Sequence, residues 1–185
     1  MLVPYIQNIN PDISREQINE LYIKASLGKI SSQNFWYTLG LVNEYEQIER
    51  KYLDTCLTLD RDFISVADEL IAEYDLAILS NDVKKWGEYL REKYNLNRLF
   101  KEIVISGEVG YRKPDYSIYD ILLLKLNVTP QNCVFIDDRY KNLKAASERG
   151  FKTIRFCREP LEKDFEPDAE INSFTELMKT IKDIW

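Results

Sequence analysis

From Leu76 onward the chain repeats one pattern: a short apolar run stops on polar residues and gives way to a helix-patterned segment. Leu76-Ala77-Ile78-Leu79 stops at Ser80-Asn81-Asp82, ahead of an amphipathic stretch carrying Val83, Trp86, Tyr89 and Leu90. Ile103-Val104-Ile105 stops at Ser106-Gly107. After the turn-like Gly110-Tyr111-Arg112-Lys113-Pro114-Asp115 comes a helix with Ile118, Ile121, Leu122 and Leu126. Cys133-Val134-Phe135-Ile136 stops at Asp137-Asp138, before a helix with Leu143, Ala145 and Ala146 that Gly150 ends. Thr153-Ile154-Arg155-Phe156 is the last such run; a polar loop with Pro160 and Pro167 and a closing helix with Phe174, Leu177, Met178 and Ile181 follow it. Apolar runs of this length are strands buried on both faces, and their alternation with helices demands a mostly parallel sheet covered by helices. The α/β class is therefore the expectation for residues 75–185.

Residues 1–74 read differently, as helices throughout once the first few residues are passed. Met1 to Tyr5 are apolar but interrupted by Pro4, which bars a central strand, so they read as a lead-in segment. Ser14 and Gln17 form a capping pair ahead of Ile18, Leu21, Tyr22 and Ala25 at helical spacing, and Gly28 ends that helix. Ser31 or Ser32 opens the next, with Phe35, Trp36 and Leu39 on one face; these aromatics, with Tyr37, either line a pocket or fill a core. Two longer helices span about 44–57 and 61–74. The charges of the first, Glu44, Glu46, Glu49, Arg50 and Lys51, read as a solvated face. The expected organisation is a helical region over 1–74 and an α/β core over 75–185.

Composition narrows the chemistry. With 185 residues and 45% hydrophobic content the chain can bury a substantial core, and its net charge of -6 argues against a nucleic-acid partner. No apolar run approaches the ~20 residues that cross a bilayer, and the first residues lack a secretory layout, so a cytoplasmic protein with no membrane partner is expected. Cys56, Cys133 and Cys157 are widely spaced and read as reduced core residues. There is no histidine. That excludes Ser-His and Cys-His nucleophiles and imidazole metal sites, leaving oxygen ligands with carboxylate and lysine chemistry.

Open α/β sheets place ligands at the carboxyl ends of their strands. Here those ends carry Ser80 and Asn81, Lys113 in the loop after the second strand, and Asp137-Asp138 after the third. Two adjacent carboxylates in a crowded site share a proton or gather a cation. Two readings fit Asp138, a place in that cation site or a cap on the helix from Lys141 to Arg149. A hydroxyl, an amide, an ammonium and two carboxylates suit a phosphate held beside Mg²⁺, a cation that takes oxygen ligands.

These motifs resemble those of the haloacid dehalogenase (HAD) superfamily. Ile78-Leu79-Ser80-Asn81 is similar to its second motif and Gly110-Tyr111-Arg112-Lys113-Pro114-Asp115 to its third. Phe135-Ile136-Asp137-Asp138-Arg139, with Asn142, Ala145, Ala146, Gly150 and Phe151, is similar to its fourth. The resemblance covers about residues 10 to 185, the amino-terminal helices being similar to the helical cap of subfamily I. It implies a HAD-like, doubly wound (Rossmann-like) sheet and the following roles. Ser80 binds the phosphoryl group with Asn81 beside it, Lys113 is catalytic and neutralises phosphate, and Asp137 and Asp138 serve Mg²⁺. The implied partner is a small phosphorylated metabolite.

One part of the resemblance is missing. The family's first motif is a strand ending in Asp-x-Asp, whose first Asp attacks phosphorus; no such sequence precedes the helices here, and Asp12, after Pro11, lacks both the strand and the second Asp. Met1-Leu2-Val3-Pro4 is similar to the family's continuation of that motif, which leads to the expectation that Met1 is an internal GTG codon with about a dozen residues ahead of it, one strand plus its loop. The absent strand would lie centrally, between those ending at Ser80 and Asp137. Its absence predicts closure of the gap, its filling by another segment or chain, or low stability and self-association through unpaired edges.

Two functional expectations follow. The first is a Mg²⁺-dependent phosphatase working through an aspartyl phosphate, with this chain inactive for want of its nucleophile. The second is a non-catalytic metal- and phosphate-binding relative. Dehalogenase chemistry uses the same nucleophile, but the paired acids favour phosphate.

Overall fold

In the computed structural model, which describes every residue except Glu159, the elements run in the following order. The helices α1 (Leu2–Ile9), α2 (Arg15–Ser26), α3 (Ser32–Thr38), α4 (Tyr45–Thr55) and α5 (Arg61–Glu73) come first. Then follow β1 (Ala77–Ser80), α6 (Lys84–Lys93), β2 (Glu102–Ile105), α7 (Ser106–Val109) and α8 (Tyr116–Leu126). The chain ends with β3 (Val134–Asp137), α9 (Tyr140–Glu148), β4 (Lys152–Phe156), β5 (Ala169–Ile171) and α10 (Leu177–Ile184). The α/β alternation read from the sequence is the observed one. Contacts divide the chain into two compact units, neither continuous. One comprises Met1–Leu59, Ser80–Asn97 and Ile105–Tyr111; the other comprises Asp60–Leu79, Arg98–Val104 and Arg112–Trp185.

The first unit is helical. Ser14 accepts a hydrogen bond from the Gln17 amide and Ser31 one from Asn34, capping α2 and α3. The lead-in segment is helical: Leu2–Ile9 is a helix that buries Val3 and Ile6. Pro4 lies in its first turn, where a missing N–H costs nothing. Phe35 and Trp36 are fully buried with Ile6, Ile18, Leu53 and Trp86. They are core rather than pocket, each such side chain contributing about 1.5–3 kcal/mol by burial. Tyr37 is exposed.

Glu49 departs from the solvated face expected of it. Only 5% of its side chain is exposed, and Lys85 lies 3.0 Å from Oε1. Oε2 accepts from Trp36 Nε1 at 2.8 Å and Trp86 Nε1 at 2.7 Å. A buried carboxylate needs such donors. The reason sequence misplaces it is that both indoles come from other helices.

In the second unit β3, β4 and β5 form a parallel sheet, Phe135 opposite Thr153 and Asp137 opposite Arg155. The sequence gives no sign of β5, since three residues are too short to show a period. Leu70, Ile154, Phe156, Ile171, Met178 and Ile181 form its core. β1 pairs with β2 in a separate sheet, and among the described residues no ladder joins β1 to β3. The flanking strands have therefore not closed on each other. No described helix is long and apolar enough to cross a membrane.

Candidate functional site

β3 delivers Asp137 at its last position, and the turn that follows wraps its carboxylate. Oδ1 accepts from the Arg139 amide at 2.9 Å and from Asn142 Nδ2 at 2.9 Å, while Oδ2 accepts from Lys113 Nζ at 2.7 Å. Both side chains are enclosed, Lys113 at 11% exposure and Asp137 at 6%. The ammonium also donates to the Leu79 carbonyl at 2.7 Å and lies 5.3 Å from the centre of the Phe135 ring. Lys113 thus touches the ends of β1 and β3 at once. Behind it, Tyr119 donates to the Asn142 carbonyl at 2.8 Å, and burial, then the charge of Asp137, holds its phenol well above the usual range.

Asp138 has no such wrapping. Its side chain is 42% exposed and lies 3.8 Å from Arg139 Nε. The capping reading has no support: no side chain caps α9.

Ser80 ends β1 half-buried, and Asn81 follows it in the first unit. The peptide between Asn81 and Asp82 is held at both ends. Tyr22 donates to the Asn81 carbonyl at 2.8 Å, and the Asp82 amide donates to Ser106 Oγ at 3.0 Å. The Asp82 carbonyl accepts from the Gly107 amide at 3.1 Å. The fit here is close enough to need glycine. A Cβ on Gly107 would meet Lys84 N at 2.7 Å, and one on Gly28, whose φ is +69°, would meet the Gly107 carbonyl at 2.7 Å. Burial pushes the Asp82 carboxyl up to about 7, against the pull of the Val83 amide and Arg91.

Among the described residues no three Asp, Glu, Cys or His side chains converge on one point. The carboxylates available to a cation at the end of β3 are Asp137 and Asp138. A carboxylate offers about four acceptor positions, of which Asp137 uses three; the remaining one is on Oδ2. Mg²⁺ commonly takes one or two carboxylates and fills its shell with water and phosphate oxygens. The donor set fits that cation.

The sequence profile described as haloacid dehalogenase-like hydrolase matches residues 6–156. The chain belongs to that family. A glyceraldehyde 3-phosphate phosphatase of Methanopyrus kandleri is 32% identical over 109 residues, 55% of this chain and 46% of that protein. A D-ribitol-5-phosphate phosphatase of Bacteroides thetaiotaomicron is 26% identical over 153 residues, 80% of this chain and 66% of that protein. The chain thus spans about half to two thirds of the length of these two relatives. A HAD-family enzyme of Bacteroides thetaiotaomicron, solved in complex with magnesium and inorganic phosphate, is similar with a TM-score of 0.73 at 18% identity, covering 89% of this chain and 90% of that one. The L-2-haloacid dehalogenase of Xanthobacter autotrophicus is similar with a TM-score of 0.71 at 18% identity, over 98% and 92%. These two likenesses establish the fold.

In this haloacid dehalogenase-like chain the single Asp-x-Asp sequence is Asp60-Arg61-Asp62. It is structural: Asp60 caps α5 by accepting from the Asp62 and Phe63 amides, and Asp62 accepts from Ser173. The sequence puts Asn142 in the fourth motif and Tyr22 on an apolar helix face, but points to no part in the site for either, or for Ser106. Asn142 had a local signal, a polar residue on the apolar face of α9 beside Leu143 and Ala146. Tyr22 had none, since its partner is 59 residues away.

Proposed function

We propose that this chain carries the binding half of a Mg²⁺-dependent phosphatase for small phosphomonoesters. The observation behind this reading is the enclosed ion pair of Lys113 and Asp137 at the ends of two strands. In it Ser80 donates its hydroxyl to a phosphoryl oxygen with Asn81 beside it, and Lys113 sets its positive charge against the phosphoryl group. Asp137 and Asp138 hold the metal, which when bound neutralises phosphate charge. The wrapped carboxylate of Asp137 is fixed before any ligand arrives. That preorganisation lowers the cost of binding. The phosphatases to which the chain is similar are named for small sugar phosphates, and that substrate class and a cytoplasmic setting complete the reading.

No aspartate of this chain takes the nucleophile's part, so the chain alone is expected not to turn over. Hydrolysis of p-nitrophenyl phosphate with Mg²⁺ tests this, on the chain as it stands and on a version preceded by an Asp-x-Asp strand. Activity in the second alone is the expected result. Activity in neither favours non-catalytic binding, a reading that the engagement of Lys113 by Asp137 and Leu79 also suits. Activity of the chain as it stands contradicts the reading.

A further inference from the structure

A cavity of about 220 Å³ opens beside the ends of β3 and β4, lined by Ile136, Asp137, Asp138, Phe156, Arg158 and Phe174. At about 30 Å³ per water in the liquid, that is the volume of about seven waters. Its floor is apolar: the Phe156 and Phe174 rings lie 4.6 Å apart, centre to centre. Its cation is Arg158, tied to Phe156 twice. The Arg158 amide donates to the Phe156 carbonyl at 3.0 Å, and the guanidinium carbon sits 4.8 Å over the ring. A guanidinium resting on an aromatic face keeps its N–H fork for planar anions and loses less freedom on binding one. The two rim acids face cations of their own, Asp137 at 2.7 Å from Lys113 and Asp138 at 3.8 Å from Arg139. That lowers their repulsion of an anionic guest.

We propose that this cavity is a subsite for a small organic anion, its carboxylate or second phosphate taken by Arg158 and its hydrocarbon body laid on Phe156 and Phe174. Within the phosphatase reading, on which its place beside the phosphate rests, the subsite favours those small phosphoesters that also carry a second acidic group. The chemistry of the fork favours two parallel hydrogen bonds to one anionic group.

Benzoate, which carries no phosphate, probes the subsite by itself. Ligand-detected NMR titration of the full chain and of Arg158→Gln, with thermal unfolding confirming that both are folded, is expected to show millimolar binding weakened at least tenfold in the variant. Equal binding by both proteins, or no binding by the unsubstituted chain, overturns the subsite. Inorganic phosphate with Mg²⁺, titrated into the same proteins and into Ser80→Ala, reads the proposed phosphate site separately. Phosphate binding weakened by Ser80→Ala but not by Arg158→Gln is the expected pattern. Absent phosphate binding counts against the phosphatase reading while the benzoate result still decides the subsite.

Discussion

Lys113 Nζ lies 2.7 Å from Asp137 Oδ2 and 2.7 Å from the Leu79 carbonyl, so one cation closes the ends of two strands that share no ladder. The pair is enclosed, and its members are worth more together than either is alone. Removing one partner of a buried pair strands the other charge at a cost of about 3–5 kcal/mol. Lys113→Met is expected to lose about that much in urea unfolding, and Lys113→Met with Asp137→Asn to recover most of it. An equal loss in the single and double variants contradicts the pairing.

Asp82 makes stability depend on pH in a direction opposite to most carboxylates. Its folded pKa is raised, from 3.8 to about 7, so the folded chain holds a proton that the unfolded chain has released. Stability from this group is fullest below about pH 4, falls as pH rises toward 7, and is flat above. The span is up to about 4 kcal/mol. Asp82→Asn is expected to gain stability at pH 8 and little at pH 4; urea midpoints across that range check it. A constant difference between the two proteins contradicts it.

Glu49 carries two indole N–H groups on one oxygen. Glu49→Ala leaves both buried and unpaired, at about 1–3 kcal/mol each. Glu49→Gln retains an acceptor and is expected to lose much less. Urea unfolding followed by tryptophan fluorescence separates the two.

Among the described residues β3 has a ladder partner only in β4, and β1 only in β2. Unpaired strand edges template association. Sedimentation over a range of concentrations is expected to show self-association of this chain, and a monomer that melts cooperatively at every concentration contradicts that.

The elements that sequence reading located are those whose cause is local. The run from Val134 to Ile136 is long enough and apolar enough to be a strand, and its stop at Asp137 marks the carboxyl end where ligands gather. α1 is not legible because Pro4 in so short an apolar run bars a central strand without signalling a helix, although the first turn of a helix accepts it. β5 is not legible because Ala169–Ile171 exists as a strand only through its pairing with β4. At the candidate site, Lys113 and Asp137 stand out by type and place. Tyr22 and Ser106 do not, since each acts through a backbone group whose position only the folded chain defines.

Titration of the chain with inorganic phosphate, followed by ³¹P NMR with and without Mg²⁺, bears most directly on the proposed site. Phosphate is expected to bind only with Mg²⁺ present, and Asp137→Asn with Asp138→Asn to lose that binding. Binding indifferent to Mg²⁺ and to both aspartates, or no binding at all, contradicts a metal and phosphate site at the end of β3.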